Sequence, residues 1–235
     1  DEMATEGYTH PEYLVDVAWL DAHKGDANLV IVDCDPDAAY NRGHIPGAVV
    51  VPDNFEKDPN TGRVHLMSPE QFKAMCESLG IGDDSLVIAY DNSQSNYAAR
   101  LWWALNTYGH ANVKVLNGGW SSWIAEGKGV GLERTSAASG TTFTPNRDES
   151  LLVKVDDLKE ACELGDSVIW DVRSDGEWDG SASRGNKRAG HIPGAIHLEW
   201  FNVMDRTTHR FKSAEEIRRM LSAAGITPEK KVYAY

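Results

Sequence analysis

Cysteine is the residue type in this sequence with the greatest capacity for covalent chemistry, and it occurs as Cys34, Cys76 and Cys162. A thiol becomes nucleophilic when it ionises, which a helix N-terminus, a basic neighbour or converging N–H groups favour. Cys34 follows a predicted strand, whereas the other two lie among apolar neighbours on predicted helices. We therefore interpret all three as packing residues. No CxxC or Cys/His cluster is present, so the sequence predicts neither a disulfide framework nor a metal site.

Charged side chains offer a second kind of chemistry. Asp171 and Arg173 are separated by one residue at the end of a predicted strand. Their simplest interpretation is an ion pair that steadies the adjoining loop, and the functional one is orientation of that loop with positive charge for an anionic substrate. Arg184, Lys187 and Arg188 follow in a polar stretch and could add charge for substrate binding, although a solvated basic loop is the simpler interpretation.

The composition restricts the classes of partner. The chain has 235 residues, 41% of them hydrophobic, and a net charge of -13. This acidity disfavours nucleic acids and anionic membranes, which both require a basic face. No apolar run approaches the roughly 18 residues of a membrane span, and the start, residues 1–5, lacks the features of a signal peptide. These observations predict a cytoplasmic location and leave the oligomeric state open.

An internal repeat organises the chain. Residues 29–48 and 168–195 both contain a strand, an aspartate, a polar turn, a short helix and the segment Gly-His-Ile-Pro-Gly-Ala. Residues 68–90 and 213–235 both contain a capped helix, Gly-Ile, a turn and a strand that ends in tyrosine. The second copy gains nine residues around 180–189 and later loses two, in polar stretches where insertions are tolerated.

The repeat also predicts the fold class and the domain organisation. Each copy alternates apolar strands with amphipathic helices, which indicates an α/β fold with a parallel sheet flanked by helices. Residues 131–150 are rich in Gly, Ser and Thr. We therefore predict two tandem domains, over 1–133 and 151–235, joined by a linker over 134–150.

The ordered motifs resemble those of the rhodanese (sulfurtransferase) family over nearly the whole chain. The matching pieces are Asp-Val-Arg-Ser at 171–174, Gly-His-Ile-Pro-Gly-Ala at 43–48 and 190–195, Tyr-Ala-Ala-Arg-Leu-Trp-Trp at 97–103, and Leu-Asn-Gly-Gly-Trp at 116–120. Two-domain members of this family typically act on thiosulfate or 3-mercaptopyruvate, with an inert first domain and an active second domain. The resemblance therefore implies two rhodanese-like domains and a sulfurtransferase.

The resemblance also implies a mechanism. In this family the catalytic cysteine is the first residue of a tight loop between a strand and a helix N-terminus. Converging N–H groups and the helix dipole lower the pKa of the thiol. The thiolate takes a sulfane sulfur from a small-molecule donor as a persulfide and passes it to a thiol or cyanide acceptor, without a cofactor.

The two copies differ at the position of this cysteine. In the first, Asp91 holds it, between the strand 86–90 and the helix 97–108. A carboxylate can cap the helix and accept the loop N–H groups, but it cannot carry a sulfane sulfur, so this copy is predicted to be non-catalytic. In the second, the equivalent position comes immediately after Tyr235. We expect the nucleophile there, and the second domain is expected to be incomplete in this chain, truncated before its cysteine loop.

Further residues follow from the resemblance. His44 and His191 lie in the Gly-His-Ile-Pro-Gly-Ala segments, which in the family are turns that lead into strands, so both are interpreted as structural. Several thiosulfate-using relatives carry a second arginine four residues after the position of Arg173, where this chain has Glu177. The donor therefore stays open. The sequence suggests no partner for four other histidines: His65, His110, His197 and His209.

Two other functions remain open from the sequence. Cdc25-type phosphatases share the fold and use a longer loop that ends in arginine, so the loop after the cysteine would discriminate. A non-catalytic binding or regulatory module would carry aspartate or another residue in both loops. The tandem architecture favours sulfur transfer over both.

Overall fold

A computed structural model describes residues 5–62 and 66–235, and the account below concerns these residues. Two compact units divide the chain: Asp1–Glu149 with Arg206–Phe211, and Ser150–Asp205 with Lys212–Tyr235. Residues 1–4, which form most of the start examined for a signal peptide, and His65 lie outside the described residues. Every helix within the described ranges is too short or too polar to span a lipid bilayer.

The described part of the first unit contains a parallel five-stranded sheet. Its strands are β1 (Leu14–Val15), β2 (Leu29–Asp33), β3 (Val49–Val50), β4 (Leu86–Tyr90) and β5 (Val113–Leu116). Their order is β1-β5-β4-β2-β3, with β4 at the centre. Because all pairings are parallel, the carboxyl ends of the strands meet at one edge, where loops of α/β proteins form sites.

Helices flank this sheet and bury its two faces. They are α1 (Val17–His23), α2 (Asp37–Arg42), α3 (Pro69–Ser78), α4 (Asn96–Thr107) and α5 (Gly119–Ala125). Neighbouring residues of β4 belong to different cores, Ile88 to one formed with α1, α2 and α5 and Ala89 to one formed with α3 and α4. This alternation follows from the two-residue period of a strand and explains why β4 is apolar throughout.

The second unit repeats the centre of this arrangement. Its described strands, β6 (Val168–Asp171), β7 (Ile196–His197) and β8 (Val232–Ala234), form a parallel sheet in the order β7-β6-β8. Its helices are α6 (Val155–Leu164), α7 (Asp175–Asp179) and α8 (Ala214–Ala223). The order matches β3-β2-β4, so the sequence repeat is a structural one and the predicted α/β class with parallel, helix-flanked sheets is confirmed.

The predicted linker over 134–150 lies against the first unit for much of its length. Phe143 is 1% exposed and packs on Phe72 with ring centroids 5.7 Å apart. Thr144 donates to the Asp83 carboxylate through its backbone N–H and its hydroxyl, each at 2.7 Å. One large apolar residue thus anchors a segment that is otherwise small and polar, and the division between the compact units falls after Glu149.

Candidate functional site

The loop after β4 is built around a buried carboxylate. Asp91 directly follows Tyr90, is 2% exposed and lies where the chain turns into α4. Its two carboxylate oxygens accept four backbone hydrogen bonds of 2.9 Å. The donors are the N–H groups of Ser93, Ser95, Tyr97 and Ala98. The loop is therefore a cradle for one anionic group, and the protein's own carboxylate fills it.

Unusual backbone conformations shape this cradle. Gln94 and Ser95 have φ angles of 54° and 66°, in the left-handed region that non-glycine residues rarely adopt. Behind the loop, a Cβ on Gly119 would lie 2.2 Å from the carbonyl oxygen of Asp91, and that oxygen accepts a 2.9 Å hydrogen bond from the Trp120 N–H. The Asn-Gly-Gly-Trp turn thus needs glycine because the cradle backbone passes against it.

Two more carboxylates give this edge of the first unit a negative charge. Asp33 accepts a 2.7 Å hydrogen bond from the Tyr90 hydroxyl, and Asp35 accepts one of 2.8 Å from the Asn92 N–H. Burial, reinforced by the neighbouring carboxylates, raises the pKa of Asp33 to about 7 and that of Asp35 to about 6. Burial likewise raises the pKa of Asp91, against the four hydrogen bonds that favour its charged form. A second anion at this edge would meet strong repulsion.

The cysteines lie in different environments. Cys34 is 2% exposed, and burial together with the adjacent carboxylates raises the pKa of its thiol. Cys76 is also buried, and burial raises the pKa of its thiol. Both serve as packing residues. Cys162 is exposed on α6, so its interpretation as a packing residue is wrong; its neighbour Ala161 takes the buried position on that helix.

In the second unit, the predicted pair of Asp171 and Arg173 forms a two-pronged ion pair. Arg173 donates from Nε to Asp171 Oδ1 at 3.0 Å and from Nη2 to Oδ2 at 2.7 Å. Nη2 also donates to the Gly190 carbonyl at 2.9 Å, and the guanidinium lies over the Tyr235 ring at 5.0 Å. Burial opposes ionisation of Asp171, but hydrogen bonds from Arg173 and Tyr235 outweigh it and lower the pKa of Asp171.

The other basic residues of the second unit remain at the surface. Arg184 is 69% exposed and approaches Glu177 at 3.5 Å, while Lys187 and Arg188 are exposed. Glu177 accepts a 2.8 Å hydrogen bond from the Ser174 hydroxyl in the capping box of α7. The departure from the arginine pattern at this position therefore has a local structural use.

The two histidines of the repeated turns make equivalent contacts. His44 is 1% exposed, stacks on Tyr40 at 3.7 Å and hydrogen-bonds to the Tyr40 carbonyl at 2.9 Å. His191 is exposed, stacks on Trp178 at 3.5 Å and hydrogen-bonds to the Trp178 carbonyl at 2.8 Å. Both rings hold the turn onto the preceding helix, as their structural interpretation expects.

The structure supplies partners that the sequence did not suggest. His197 stacks on Trp178 at 4.9 Å and hydrogen-bonds to the Arg173 carbonyl at 2.9 Å. His110 hydrogen-bonds to the Ser85 carbonyl at 2.9 Å, whereas the buried His209 Nδ1 makes no hydrogen bond within the described part of the chain.

Tyr235 is the site residue that the sequence reasoning missed. Its hydroxyl accepts a 2.9 Å hydrogen bond from the Ile192 N–H, as the Tyr90 hydroxyl accepts one of 3.1 Å from Ile45. The only signal for this role was the tyrosine that ends both repeated strands. Fold and site together define a tandem α/β protein. Its two repeats share the contact of a strand-end tyrosine with a backbone N–H, and the first unit contains an anion cradle.

Comparison with known proteins agrees with this class. The family model of the rhodanese-like domain matches residues 16–126 and 154–235. The sulfur carrier protein TtuD of Thermus thermophilus is 34% identical over 241 residues, which cover 97% of this chain and 84% of the relative. The putative thiosulfate sulfurtransferase SseA of Mycobacterium tuberculosis is 35% identical over 238 residues, which cover 97% and 78%. The chain belongs to the rhodanese family.

Solved structures show the same fold. SseA from Escherichia coli, a 3-mercaptopyruvate sulfotransferase, superposes with a TM-score of 0.82 at 27% identity, covering 94% of this chain and 87% of that one. The anaerobic ergothioneine biosynthesis enzyme from Chlorobium limicola superposes with a TM-score of 0.83 at 26% identity, covering 97% and 61%.

Proposed function

We propose that this protein is a sulfurtransferase that moves a sulfane sulfur from thiosulfate or 3-mercaptopyruvate, through a cysteine persulfide, to a thiol or to cyanide. The proposed nucleophile is a cysteine immediately after Tyr235. The strand pairing carries this proposal: Val172 donates to the Tyr235 carbonyl at 3.1 Å as Cys34 donates to the Tyr90 carbonyl at 2.8 Å. By this equivalence, the next residue takes the repeat position of Asp91.

The Asp91 cradle supports the choice of chemistry at that position. Four N–H groups at 2.9 Å stabilise a carboxylate there, and the same arrangement would stabilise a thiolate or a persulfide anion. In the first unit, Asp91 fills the cradle, and Asp33 and Asp35 make its surroundings acidic. These features favour a non-catalytic first unit and an active second one.

The proposed reaction proceeds by two displacements. The thiolate attacks the outer sulfur of the donor, and the bond between that sulfur and the rest of the donor breaks. Sulfite leaves from thiosulfate, or the enolate of pyruvate leaves from 3-mercaptopyruvate and is protonated. The acceptor then attacks the outer sulfur of the persulfide and regenerates the thiolate.

The candidate binding residues contribute unequally to this proposal. The Arg173 guanidinium is committed to Asp171 and Gly190, which favours a role in steadying the loop over direct binding of the donor. Arg184 and Arg188 are exposed and remain the proposed sources of charge for an anionic donor. The cytoplasmic location stays a prediction.

The decisive experiment measures thiocyanate formation from each donor with cyanide, using the full-length protein. Replacing the residue after Tyr235 by serine is expected to abolish turnover and to prevent the gain of one sulfur atom in the intact mass. Cys34→Ala, Cys76→Ala and Cys162→Ala serve as matched controls and should retain turnover. Activity that survives the serine substitution would overturn the proposal, and hydrolysis of an aryl phosphate without thiocyanate would favour the phosphatase.

A further inference from the structure

Tyr235 is attached to its surroundings at both its backbone and its side chain. Its N–H donates to the Trp170 carbonyl at 3.0 Å, and its carbonyl accepts from Val172 at 3.1 Å. Its hydroxyl accepts from Ile192 at 2.9 Å, and its ring lies 5.0 Å below the Arg173 guanidinium. One residue therefore joins the end of β8 to β6 and to the turn at Ile192.

In the first unit, the equivalent residue Tyr90 is attached in the same way and directly precedes Asp91 of the cradle. Tyr90 is 1% exposed, accepts from Ile45 at 3.1 Å and donates to Asp33 at 2.7 Å. The next residue, Asp91, then projects its carboxylate so that both oxygens meet their donors at 2.9 Å. A carboxylate reaches four fixed donors at once only if the backbone that carries it is held in place, and the buried Tyr90 is the preceding residue of that backbone.

In the second unit Tyr235 is attached in an equivalent way, but the neighbouring charged residue is different. At the position of Asp35 this unit has Arg173, whose two-pronged ion pair favours the charged form of Asp171. Burial, together with the nearby Asp171 carboxylate, raises the pKa of the Tyr235 hydroxyl. The guanidinium of this ion pair lies over the Tyr235 ring at 5.0 Å, and the Ile192 N–H donates to the Tyr235 hydroxyl at 2.9 Å. The Tyr235 side chain is therefore held by an ion pair at its ring and by a backbone N–H at its hydroxyl.

We propose that Tyr235 is a positioning residue for sulfur transfer, with its hydroxyl, Asp171 and Arg173 fixing the end of β8 so that the following residue enters its N–H cradle. This inference rests on the proposed function. If Tyr235 is a positioning residue, its substitution affects the ionisation and the orientation of the nucleophile. A merely structural role would affect only the stability of the unit.

The test compares Tyr235→Phe with Tyr90→Phe, which removes the same hydroxyl from the unit proposed to be inert. The readouts are kcat and KM for the donor, the pH dependence of alkylation of the nucleophile by iodoacetamide, and thermal unfolding. Tyr235→Phe should lower kcat by about tenfold or more, leave KM within about twofold, and move the alkylation profile to higher pH because a misplaced thiolate loses N–H contacts. Tyr90→Phe should leave kcat and the profile unchanged.

The outcomes separate this inference from the proposed function. If the unsubstituted protein transfers sulfur and Tyr235→Phe retains its kcat and pH profile, the inference is wrong even if the melting temperature falls. If the unsubstituted protein does not transfer sulfur, both are wrong. Should Tyr235→Phe fail to fold, Arg173→Lys tests the same attachment, because it removes the two-pronged contact and keeps the charge. The same loss of kcat and pH shift are expected, and unchanged kinetics would overturn the inference.

Discussion

Asp35 and Arg173 occupy the same position of the repeat, two residues after the aspartate that ends β2 or β6, and they give the two units opposite charge there. Asp35 accepts a 2.8 Å hydrogen bond from the Asn92 N–H, beside the Asp91 cradle. Arg173 binds Asp171 at 2.7 and 3.0 Å. One unit therefore concentrates carboxylates at its strand ends, while the other balances its carboxylate with a guanidinium. This difference bears directly on which unit tolerates a thiolate.

Asp33 and Asp35 should reduce the stability of the first unit as the pH rises from about 4 to about 7. The pKa of Asp33 is raised to about 7 and that of Asp35 to about 6, above the value of about 3.9 in an unfolded chain. At these two carboxyls the folded unit therefore binds more protons than the unfolded chain in this range, and their contribution to the free energy of unfolding falls as the pH rises. Asp35→Asn should raise that free energy by roughly 1–3 kcal/mol at pH 8 and change it little at pH 4.

Calorimetric unfolding at the two pH values measures this effect. The exposed Asp84 provides the control, because Asp84→Asn should change stability by the same small amount at both. An Asp35→Asn protein that gains no stability at pH 8 relative to pH 4 would contradict the raised pKa.

Asp91→Asn should destabilise the first unit strongly. The carboxylate accepts four N–H groups, whereas an amide presents one oxygen and one nitrogen that cannot accept them. At least two donors of the cradle would then lack a partner, which we expect to cost about 2–4 kcal/mol. Chemical denaturation provides the measurement, with Asp84→Asn again as the control, and a loss below about 0.5 kcal/mol would show that the cradle does not depend on the charge.

Arg173→Lys should weaken the second unit although it conserves charge. Lysine cannot reproduce the two-pronged contact with Asp171, the bond to Gly190 and the position over the Tyr235 ring at the same time. We expect a loss of about 1–2 kcal/mol in thermal unfolding. Arg184→Lys is the matched control, since Arg184 is 69% exposed and its loss should stay below about 0.5 kcal/mol. Equal effects of the two substitutions would contradict the special position of Arg173.

Phe143→Ala should destabilise the first unit although Phe143 lies in the predicted linker. The side chain is 1% exposed and packs on Phe72, so truncation leaves a cavity that costs about 3–5 kcal/mol. Leu132→Ala, just before this segment, is the control, because Leu132 is 67% exposed. Urea denaturation compares the two variants, and similar midpoints would mean that the segment behaves as a free linker.

Much of this protein follows from local patterns in its sequence. Strand periodicity predicts the parallel α/β class, and the repeated spacings predict that Asp91 and the residue after Tyr235 are equivalent. The ordered set of motifs, with Gly-His-Ile-Pro-Gly-Ala in both copies and Leu-Asn-Gly-Gly-Trp in the first, is sufficient for the resemblance to rhodaneses. These features can be predicted because the residues of one helix or strand share a backbone conformation. The resulting side-chain period, and the residue types that turns require, are visible in consecutive positions of the sequence.

Other features depend on contacts between distant residues. Asp35 meets Asn92 across 57 positions, and Tyr235 meets Ile192 across 43. Phe143 is a single apolar residue in a polar segment, and only packing determines that it belongs to the first unit. The sequence alone determined the repeat, the fold class and the position at which a nucleophile is expected. The tertiary structure decided which groups surround that position. Strand register and side-chain packing bring together charges and hydroxyls that are far apart in the sequence and follow no periodic pattern.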